Sequence, residues 1–215
     1  MVDLAGILLK LYKMAVENDA ELCEINPLAA TSEGFIAADA RLNLDNNALY
    51  RHRDLEKRYG ESELTELTKR ELEARRLGLI YVELVGNIGV IGNGAGLTMA
   101  TVDMVTLNGG RAGDFLDLGG GAPSGRVETA VSFVISDPNI DGLLVNILGG
   151  ITRCDDIARG IIAARRGSGV EKPIVVRMMG TNEKEGKRLL RDAGIDTFET
   201  MEESAESIVR IVGGS

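Results

Sequence analysis

The sequence is poor in aromatic residues and in cysteine. Its 215 residues include no tryptophan and only two cysteines, and aromatic residues make up 4% of the chain. The core must therefore be built mainly from isoleucine, valine, leucine, alanine and methionine. Cys23 and Cys154 lie far apart and belong to no paired motif, which favours a reducing cytoplasmic location over a disulfide scaffold.

Basic charge and long apolar segments are also lacking. The chain has 24 lysine and arginine residues against 33 aspartate and glutamate residues, so its formal net charge is −9. This balance argues against nucleic acid as a partner, because phosphate backbones are bound through basic patches. No apolar run approaches the ~20 residues that span a bilayer, and the N-terminus does not resemble a signal peptide. We expect a soluble globular protein without membrane partners.

The first third of the chain changes character along its length. Residues 3–18 place apolar side chains at helical spacing, and residues 21–28 and 34–39 alternate like two strands of a β-hairpin with a four-residue loop. Residues 56–78 are dense in charge, which predicts a solvated linker with a surface helix. The expected segments, with a domain boundary near residue 78, are 1–55, 56–78 and 79–215.

From residue 79 onward, short apolar strands alternate with amphipathic helices. The predicted strands lie at 81–84, 88–91, 112–118, 142–147, 173–178 and 197–198, and the predicted helices at 97–107, 126–136, 157–166, 184–193 and 204–212. Such alternation implies a parallel sheet with helices on both faces and right-handed crossovers. We therefore expect an α/β fold with an open, flavodoxin-like doubly wound sheet, which binds ligands beyond the carboxyl ends of its strands.

Glycine-rich turns follow three of these strands and precede helices. They lie at residues 92–96, 119–121 and 149–150. Parallel strands end at one edge of a sheet, so three such turns favour a shared ligand surface over mere connections. N–H groups at a helix start attract anions, and glycine lets a ligand approach the backbone. The pattern predicts a phosphate or carboxylate site, but it matches neither the dinucleotide fingerprint nor the P-loop.

Four side chains near or away from these turns have two interpretations each. Asn93 can donate to a carboxylate or simply tolerate a left-handed turn. Arg153 can assist an anion at the helix start or face solvent. Cys154 can be activated by a helix N-terminus, but no base adjoins it in sequence, which favours a packing role. His52, the only histidine, lies in a polar connector, which favours a surface residue over a catalytic one.

The hairpin brings a second set of polar residues together. If Ala30 pairs with Phe35, Asn26 faces Asp39 directly, with Cβ atoms roughly 5 Å apart. An amide oxygen and a carboxylate at that spacing can share a Mg²⁺ ion, and Glu24 points to the same face. A polar, solvent-facing side of the hairpin is the alternative, and spacing alone favours it.

A series of short motifs carries a resemblance to a known family. In order, they are EINPL at 24–28, Asp39, NALYR at 47–51, GNIG at 86–89, NGAGL at 93–97, DLGGGA at 117–122 and GGITRCD at 149–155. The first three resemble the end of an ATP-grasp domain, and the others resemble the β subunit of succinyl-CoA synthetase (succinate–CoA ligase, NDP-forming). The resemblance runs from about residue 20 to the C-terminus and implies a small ATP-grasp remnant, made of the helix and hairpin, before a flavodoxin-like CoA-ligase domain.

The resemblance implies an enzyme that joins succinate to coenzyme A. The family uses ATP or GTP with Mg²⁺ and passes the phosphoryl group through a histidine of a partner α subunit. By resemblance, Asn26 and Asp39 are the Mg²⁺ ligands, and Glu24 is the catalytic residue that positions the phosphohistidine at the nucleotide site.

The same resemblance assigns the acid site to the glycine turns. It implies that Asn93 and the turn of Gly150, Ile151 and Thr152 contact the acid substrate. The helix that starts near Arg153 is implied to direct its N-terminus at the phosphohistidine, which fits the attraction of a helix dipole for an anion.

The chain departs from the family pattern in two ways. Met1 stands almost at the end of the ATP-grasp domain, so we expect a fragment or split subunit, inactive alone, that a missing N-terminal ATP-grasp segment and an α subunit complete. Thr152 stands where relatives often carry an apolar residue, which leaves the acid open. The alternatives to a succinate ligase are a non-catalytic docking or assembly domain of flavodoxin type and a ligase for malate or another dicarboxylate.

Overall fold

A computed structural model describes residues 4–32, 34–45, 47–55 and 67–213 of the chain. The chain separates between Glu66 and Leu67 into two units. The predicted segment limits stay predictions, and residues 56–66 of the predicted linker lie outside the described residues. Within the described part of the chain, no helix has the length and apolar character that crossing a membrane requires.

The first unit contains a helix and a long, interrupted antiparallel hairpin. Its elements are α1 (Leu4–Glu17), β1 (Ala20–Ile25), β2 (Leu28–Thr31), β3 (Gly34–Ala37), β4 (Ala40–Leu44) and a 3₁₀ turn (Leu49–Arg51). β2 pairs with β3, and the predicted pairing of Ala30 with Phe35 is confirmed. β1 pairs with β4 in the same register, with Ile25 opposite Ala40. The predicted second strand ended at residue 39, whereas the chain continues into β4 and buries Leu44 at its end.

The second unit has the predicted alternation of strands and helices. Its elements are α2 (Lys69–Arg76), β5 (Ile80–Glu83), β6 (Ile88–Gly92), α3 (Ala95–Leu107), β7 (Asp114–Asp117), α4 (Ser124–Ile135), β8 (Gly142–Gly149), α5 (Cys154–Ser168), β9 (Ile174–Gly180), α6 (Glu183–Asp192), β10 (Asp196–Phe198) and α7 (Met201–Gly213). The six strands form one sheet in the order β10-β9-β8-β6-β7-β5. The α/β, doubly wound fold class predicted from the sequence is confirmed.

One strand departs from the expected parallel sheet. β5 pairs antiparallel with β7 at the edge, whereas the pairs among β6, β7, β8, β9 and β10 are parallel. Only residues 84–87 join β5 to β6, and a parallel crossover needs a dozen or more residues. The short connection therefore makes β5 run in the opposite direction.

Apolar cores cover both faces of the sheet. One core contains Val127 of α4 and Ile157 of α5, together with Leu143, Val145 and Ile147 of β8. The other core contains residues of α3 and α7 together with Leu144 of β8. Successive side chains of a strand point to opposite faces, so a strand buried on both faces reads as a continuous apolar run.

Helix α2 is fixed to this unit by a capping box and an ion pair. The Thr68 hydroxyl accepts a hydrogen bond from the Glu71 N–H, and the Glu71 side chain accepts one from the Thr68 N–H, which satisfies two N–H groups at the helix start. Arg70 Nε lies 2.7 Å from Asp137 Oδ2, and Ala74 is buried in the larger core. These contacts hold α2 in place, and residues 77–79 join it to the edge strand β5.

Candidate functional site

The sheet has a topological switch point between β6 and β8. These strands are parallel neighbours, but they lead to helices on opposite faces: α3, after β6, packs in the core that contains Val105, and α5, after β8, packs in the core that contains Ile157. Open α/β sheets bind ligands in the crevice beyond the strand ends at such a point. A ligand site is therefore expected between the turns that follow β6 and β8.

Three glycine-rich turns lie at this edge, as the sequence predicted. They are the first turn (residues 92–96), the second turn (119–121) and the third turn (149–153), which follow β6, β7 and β8. In the second turn Gly119 and Gly121 have φ angles of 69° and 71°. Side chains with a Cβ rarely adopt this left-handed conformation, so the geometry of the turn itself requires glycine.

Asn93 ties the first turn to the end of β8. Its Oδ1 accepts a hydrogen bond from the Leu148 N–H at 2.8 Å, and its Nδ2 donates to the Leu148 carbonyl at 2.9 Å. The carboxamide therefore pairs with the backbone as a neighbouring strand would. Asn93 lies at the predicted site, but these two bonds direct its polar atoms towards the protein.

The Thr152 hydroxyl touches the other two turns. Thr152 is 2% exposed, and its Oγ1 accepts a hydrogen bond from the Gly121 N–H at 2.9 Å and lies 3.5 Å from Asn93 Nδ2. One hydroxyl of the third turn is thus in contact with the first and the second turn. The structure brings Asn93 and Thr152 together, and their contact with an acid stays a prediction.

Asp117 is a second link between turns, and sequence reasoning missed it. Its Oδ1 accepts hydrogen bonds from the Gly94 N–H at 2.6 Å and from the Gly119 N–H at 2.8 Å. The carboxylate is largely buried and satisfies two N–H groups that would otherwise lack a partner. An acidic residue at the end of a buried strand, directly before a glycine run, was the available signal.

The third turn presents backbone N–H groups at the start of α5. The Cys154 N–H donates to the Thr181 carbonyl at 2.9 Å. Among the described residues, no acceptor hydrogen-bonds to the N–H groups of Gly150, Ile151 or Arg153. Gly150 is exposed and Ile151 is 89% exposed, so this part of the third turn is open to solvent. A helix N-terminus with unsatisfied N–H groups is a site that binds anions.

At the start of α5, the carboxylate of Asp155 is paired with neighbouring arginines. Burial disfavours ionisation of Asp155, but hydrogen bonds from Arg153, Asn182 and Arg159 outweigh it and lower the pKa to about 2. Arg153 Nε lies 3.3 Å from Asp155 Oδ1, while half of the Arg153 side chain remains exposed. Arg153 therefore contacts solvent and pairs with Asp155, and its assistance to a bound anion stays a prediction.

Cys154 and His52 have structural contacts. The Cys154 thiol is fully buried, and burial raises its pKa, which supports the packing interpretation. His52 is partly buried, with 19% of its side chain exposed, and its Nε2 lies 2.6 Å from Asp19 Oδ2, so it is paired within the first unit. Arg51 binds the same carboxylate at 3.0 Å. The pair fixes the residues after β4 to those before β1, a long-range contact that local sequence does not reveal.

The hairpin of the first unit brings the predicted metal pair together. The Asn26 N–H donates to the Asp39 carbonyl at 3.2 Å, which continues the register of both strand pairs through this position. Asn26, Asp39 and Glu24 are all exposed, and Asp39 Oδ1 accepts the Ala40 N–H at 2.9 Å. No group of three or more His, Cys, Asp or Glu side chains suited to a metal occurs in the described ranges.

The donor set of this pair suits Mg²⁺ chemically. An amide oxygen and a carboxylate are hard ligands, and Mg²⁺ binds through one or two protein oxygens while it keeps waters or takes phosphate oxygens. An exposed pair leaves room for those additional ligands. The donor set of Asn26 and Asp39 therefore fits a Mg²⁺ ion that takes its other ligands from water or phosphate.

Comparison with known proteins finds one family and a set of close relatives. The family model described as CoA-ligase matches residues 91–210. The chain is 50% identical over 206 residues to succinate–CoA ligase (ADP-forming) subunit beta of Ignicoccus hospitalis, which covers 96% of this chain and 54% of that protein. It is 45% identical over 216 residues to succinate–CoA ligase (GDP-forming) subunit beta of Thermus thermophilus, covering 99% and 56%. The chain thus spans about half the length of these relatives.

Solved structures with lower identity share the fold. ATP citrate lyase of Methanosaeta concilii superposes with a TM-score of 0.72 at 18% identity, covering 98% of this chain and 60% of that one. A dinucleotide-forming acetyl-coenzyme A synthetase of Ca. Korarchaeum cryptofilum gives a TM-score of 0.52 at 21% identity, covering 59% and 33%.

Proposed function

Because this chain belongs to the CoA-ligase family, we propose that it forms the C-terminal part of the β subunit of an NDP-forming acid–CoA ligase. The assembled enzyme joins succinate to coenzyme A with ATP or GTP and Mg²⁺, in the cytoplasm, through a phosphohistidine on an α subunit. An N-terminal ATP-grasp segment supplies the rest of the nucleotide site. The proposal rests on the third turn, where the N–H groups of Gly150, Ile151 and Arg153 have no acceptor among the described residues. This turn lies at the start of α5, beside the switch point of the sheet.

We assign binding of the acid and of the phosphoryl group to the glycine turns. Asn93, Gly150, Ile151 and Thr152 line the acid site. The N–H groups of the third turn, together with the dipole of α5, offer fixed partial positive charge to a carboxylate or phosphoryl group. Such preorganised donors stabilise developing negative charge without reorganisation during the reaction.

We assign the nucleotide site to the hairpin of the first unit. Asn26 and Asp39 would hold a Mg²⁺ ion, which neutralises phosphate charge when bound. Glu24 of β1 lies two residues before Asn26 and opposite Arg41, and it positions the incoming phosphohistidine. The high identity to subunits named as succinate–CoA ligases supports both assignments.

Reconstitution tests the proposal. The chain is combined with a relative's N-terminal ATP-grasp segment and α subunit, and succinate-, nucleotide- and CoA-dependent product is measured. We expect activity well above that of the α subunit alone. If the chain binds tightly but adds no activity, the proposal is contradicted and a docking domain is favoured. If the rate with malate is well above that with succinate, the substrate is malate and not succinate.

The metal assignment has a separate test in the same assay. Asp39→Ala should lower activity by about 100-fold or more, because even an outer-shell partner of a metal ligand is worth roughly 10–100-fold. The circular dichroism spectrum should stay unchanged because Asp39 is exposed. Glu21→Ala removes an exposed carboxylate from β1 of the same hairpin, and this control should retain full activity. Activity of Asp39→Ala near that of the control would remove Asp39 from the metal site.

A further inference from the structure

The two polar side chains at the acid site face the protein and not the crevice. Both ends of the Asn93 carboxamide are bound by the Leu148 backbone. The Thr152 hydroxyl accepts from Gly121 and adjoins Asn93, and the residue is buried. In contrast, the N–H groups of Gly150 and Ile151 have no acceptor among the described residues.

Building on the proposed function, we propose that Thr152 is a positioning residue. Its hydroxyl holds the first and second turns against the third turn, and the anionic group of the substrate contacts the backbone N–H groups of the third turn. Thr152 acts on the substrate through the placement of those groups and not through its own hydroxyl.

The Gly121 end of the second turn depends on this one hydroxyl for its position. Asp117 holds Gly94 and Gly119, but among the described residues it makes no hydrogen bond to Gly121. Among the described residues, the bond from the Gly121 N–H to Thr152 Oγ1 is the hydrogen bond that joins the second turn to the third. A turn of three glycines has no side chains with which to pack, and glycine has the largest conformational freedom to lose. Removal of the hydroxyl therefore releases one side of the crevice.

The same contacts predict that the fold tolerates this loss. The Asn93–Leu148 pair still joins the first turn to β8, and Asp117 still joins the first turn to the second. Threonine and valine have nearly the same shape, so Thr152→Val removes the acceptor without opening a cavity. The chain should keep its structure, and only the positions of the three turns relative to one another should change. Anion binding and catalysis are sensitive to those positions.

The first experiment uses the chain alone and compares Thr152→Val with Thr152→Ser, which retains the hydroxyl. Amide exchange at Gly121, followed by NMR, should rise about tenfold in the valine variant, in proportion to the loss of one hydrogen bond, and stay near wild type in the serine variant. Inorganic phosphate should bind several-fold more weakly to the valine variant and near normally to the serine variant. Thr129→Val, which removes an exposed hydroxyl from α4, should change neither quantity.

The second experiment uses the assembled ligase and distinguishes positioning from contact. Thr152→Val should lower kcat/KM for succinate and for malate by the same factor, about tenfold, because it disturbs donors that serve both acids. A residue that touches the acid changes the ratio between the two. The serine variant should restore both rates.

Two results would overturn the inference. Wild-type Gly121 exchange in the valine variant would show that the hydroxyl does not hold the second turn. A changed succinate-to-malate ratio would show direct contact. The exchange measurement needs no partner chain, so it decides the positioning role even if the reconstituted ligase proves inactive and the proposed function fails.

Discussion

Replacing Asp114 by asparagine should remove a pH dependence of stability that this buried carboxyl imposes on the second unit. Asp114 begins β7 and is fully buried. Its Oδ1 accepts the Val90 N–H at 2.8 Å, while Oδ2 has no hydrogen-bond partner in the described part of the chain. Burial, opposed by the Val90 N–H and reinforced by the charge of Asp137, raises the pKa of Asp114 from 3.8 to about 7.

The sign and size of the effect follow from this pKa. The folded state holds the proton of Asp114 more tightly than the unfolded state, so the stability that it contributes is fully present below about pH 4 and is lost as the pH rises through about 7. At ~1.4 kcal/mol per pH unit, the complete loss is about 4 kcal/mol, of which about 2 kcal/mol falls between pH 5.5 and 7.

Urea unfolding followed by circular dichroism measures this loss, since the chain has no tryptophan. The free energy of unfolding of Asp114→Asn, relative to wild type, should rise by about 2 kcal/mol from pH 5.5 to 8. The asparagine keeps an oxygen for the Val90 N–H but has no charge to desolvate. Asp196→Asn removes an exposed carboxyl and should follow the wild-type curve. Parallel curves for wild type and Asp114→Asn would refute the argument.

Further predictions concern the third turn and the cysteines. A Cβ at Gly180, where φ is 112°, would lie 1.8 Å from the Gly149 carbonyl, so Gly180→Ala should destabilise by about 1–3 kcal/mol or more in urea unfolding. Gly150→Ala meets nothing within 4 Å and should leave stability unchanged, and an equal loss in both variants would contradict this. A thiol reagent should modify half-buried Cys23 before buried Cys154, and equal rates would show that Cys154 is accessible.

The sequence predicted the parts of the fold that follow from local patterns. The alternation of apolar strands and amphipathic helices after residue 79 depends on burial of both sheet faces, which leaves a direct trace in strands such as β8 (Gly142–Gly149). The register of Ala30 with Phe35 followed from the turn between them, because turn length fixes pairing.

The missed features depend on contacts between distant residues. The short connection of residues 84–87 makes β5 run opposite to β6, but the sequence does not state that β5 lies beside β7 at the edge of the sheet. The bond of His52 to Asp19 spans the whole hairpin. Asp117 and Thr152 were recognisable as residues near glycine turns, but the bonds that they make to Gly94, Gly119 and Gly121 exist only once three strands lie side by side. Family resemblance indicated the site residues without distinguishing contact from support.

Anion binding by the backbone of the third turn can be measured on the chain itself. In a titration of the isotope-labelled chain with inorganic phosphate, followed by NMR, we expect saturable shifts centred on the N–H groups of Gly150, Ile151 and Arg153. Shifts centred instead on Arg165 and Arg166, at the opposite end of α5, or no saturable shifts at all, would contradict this expectation.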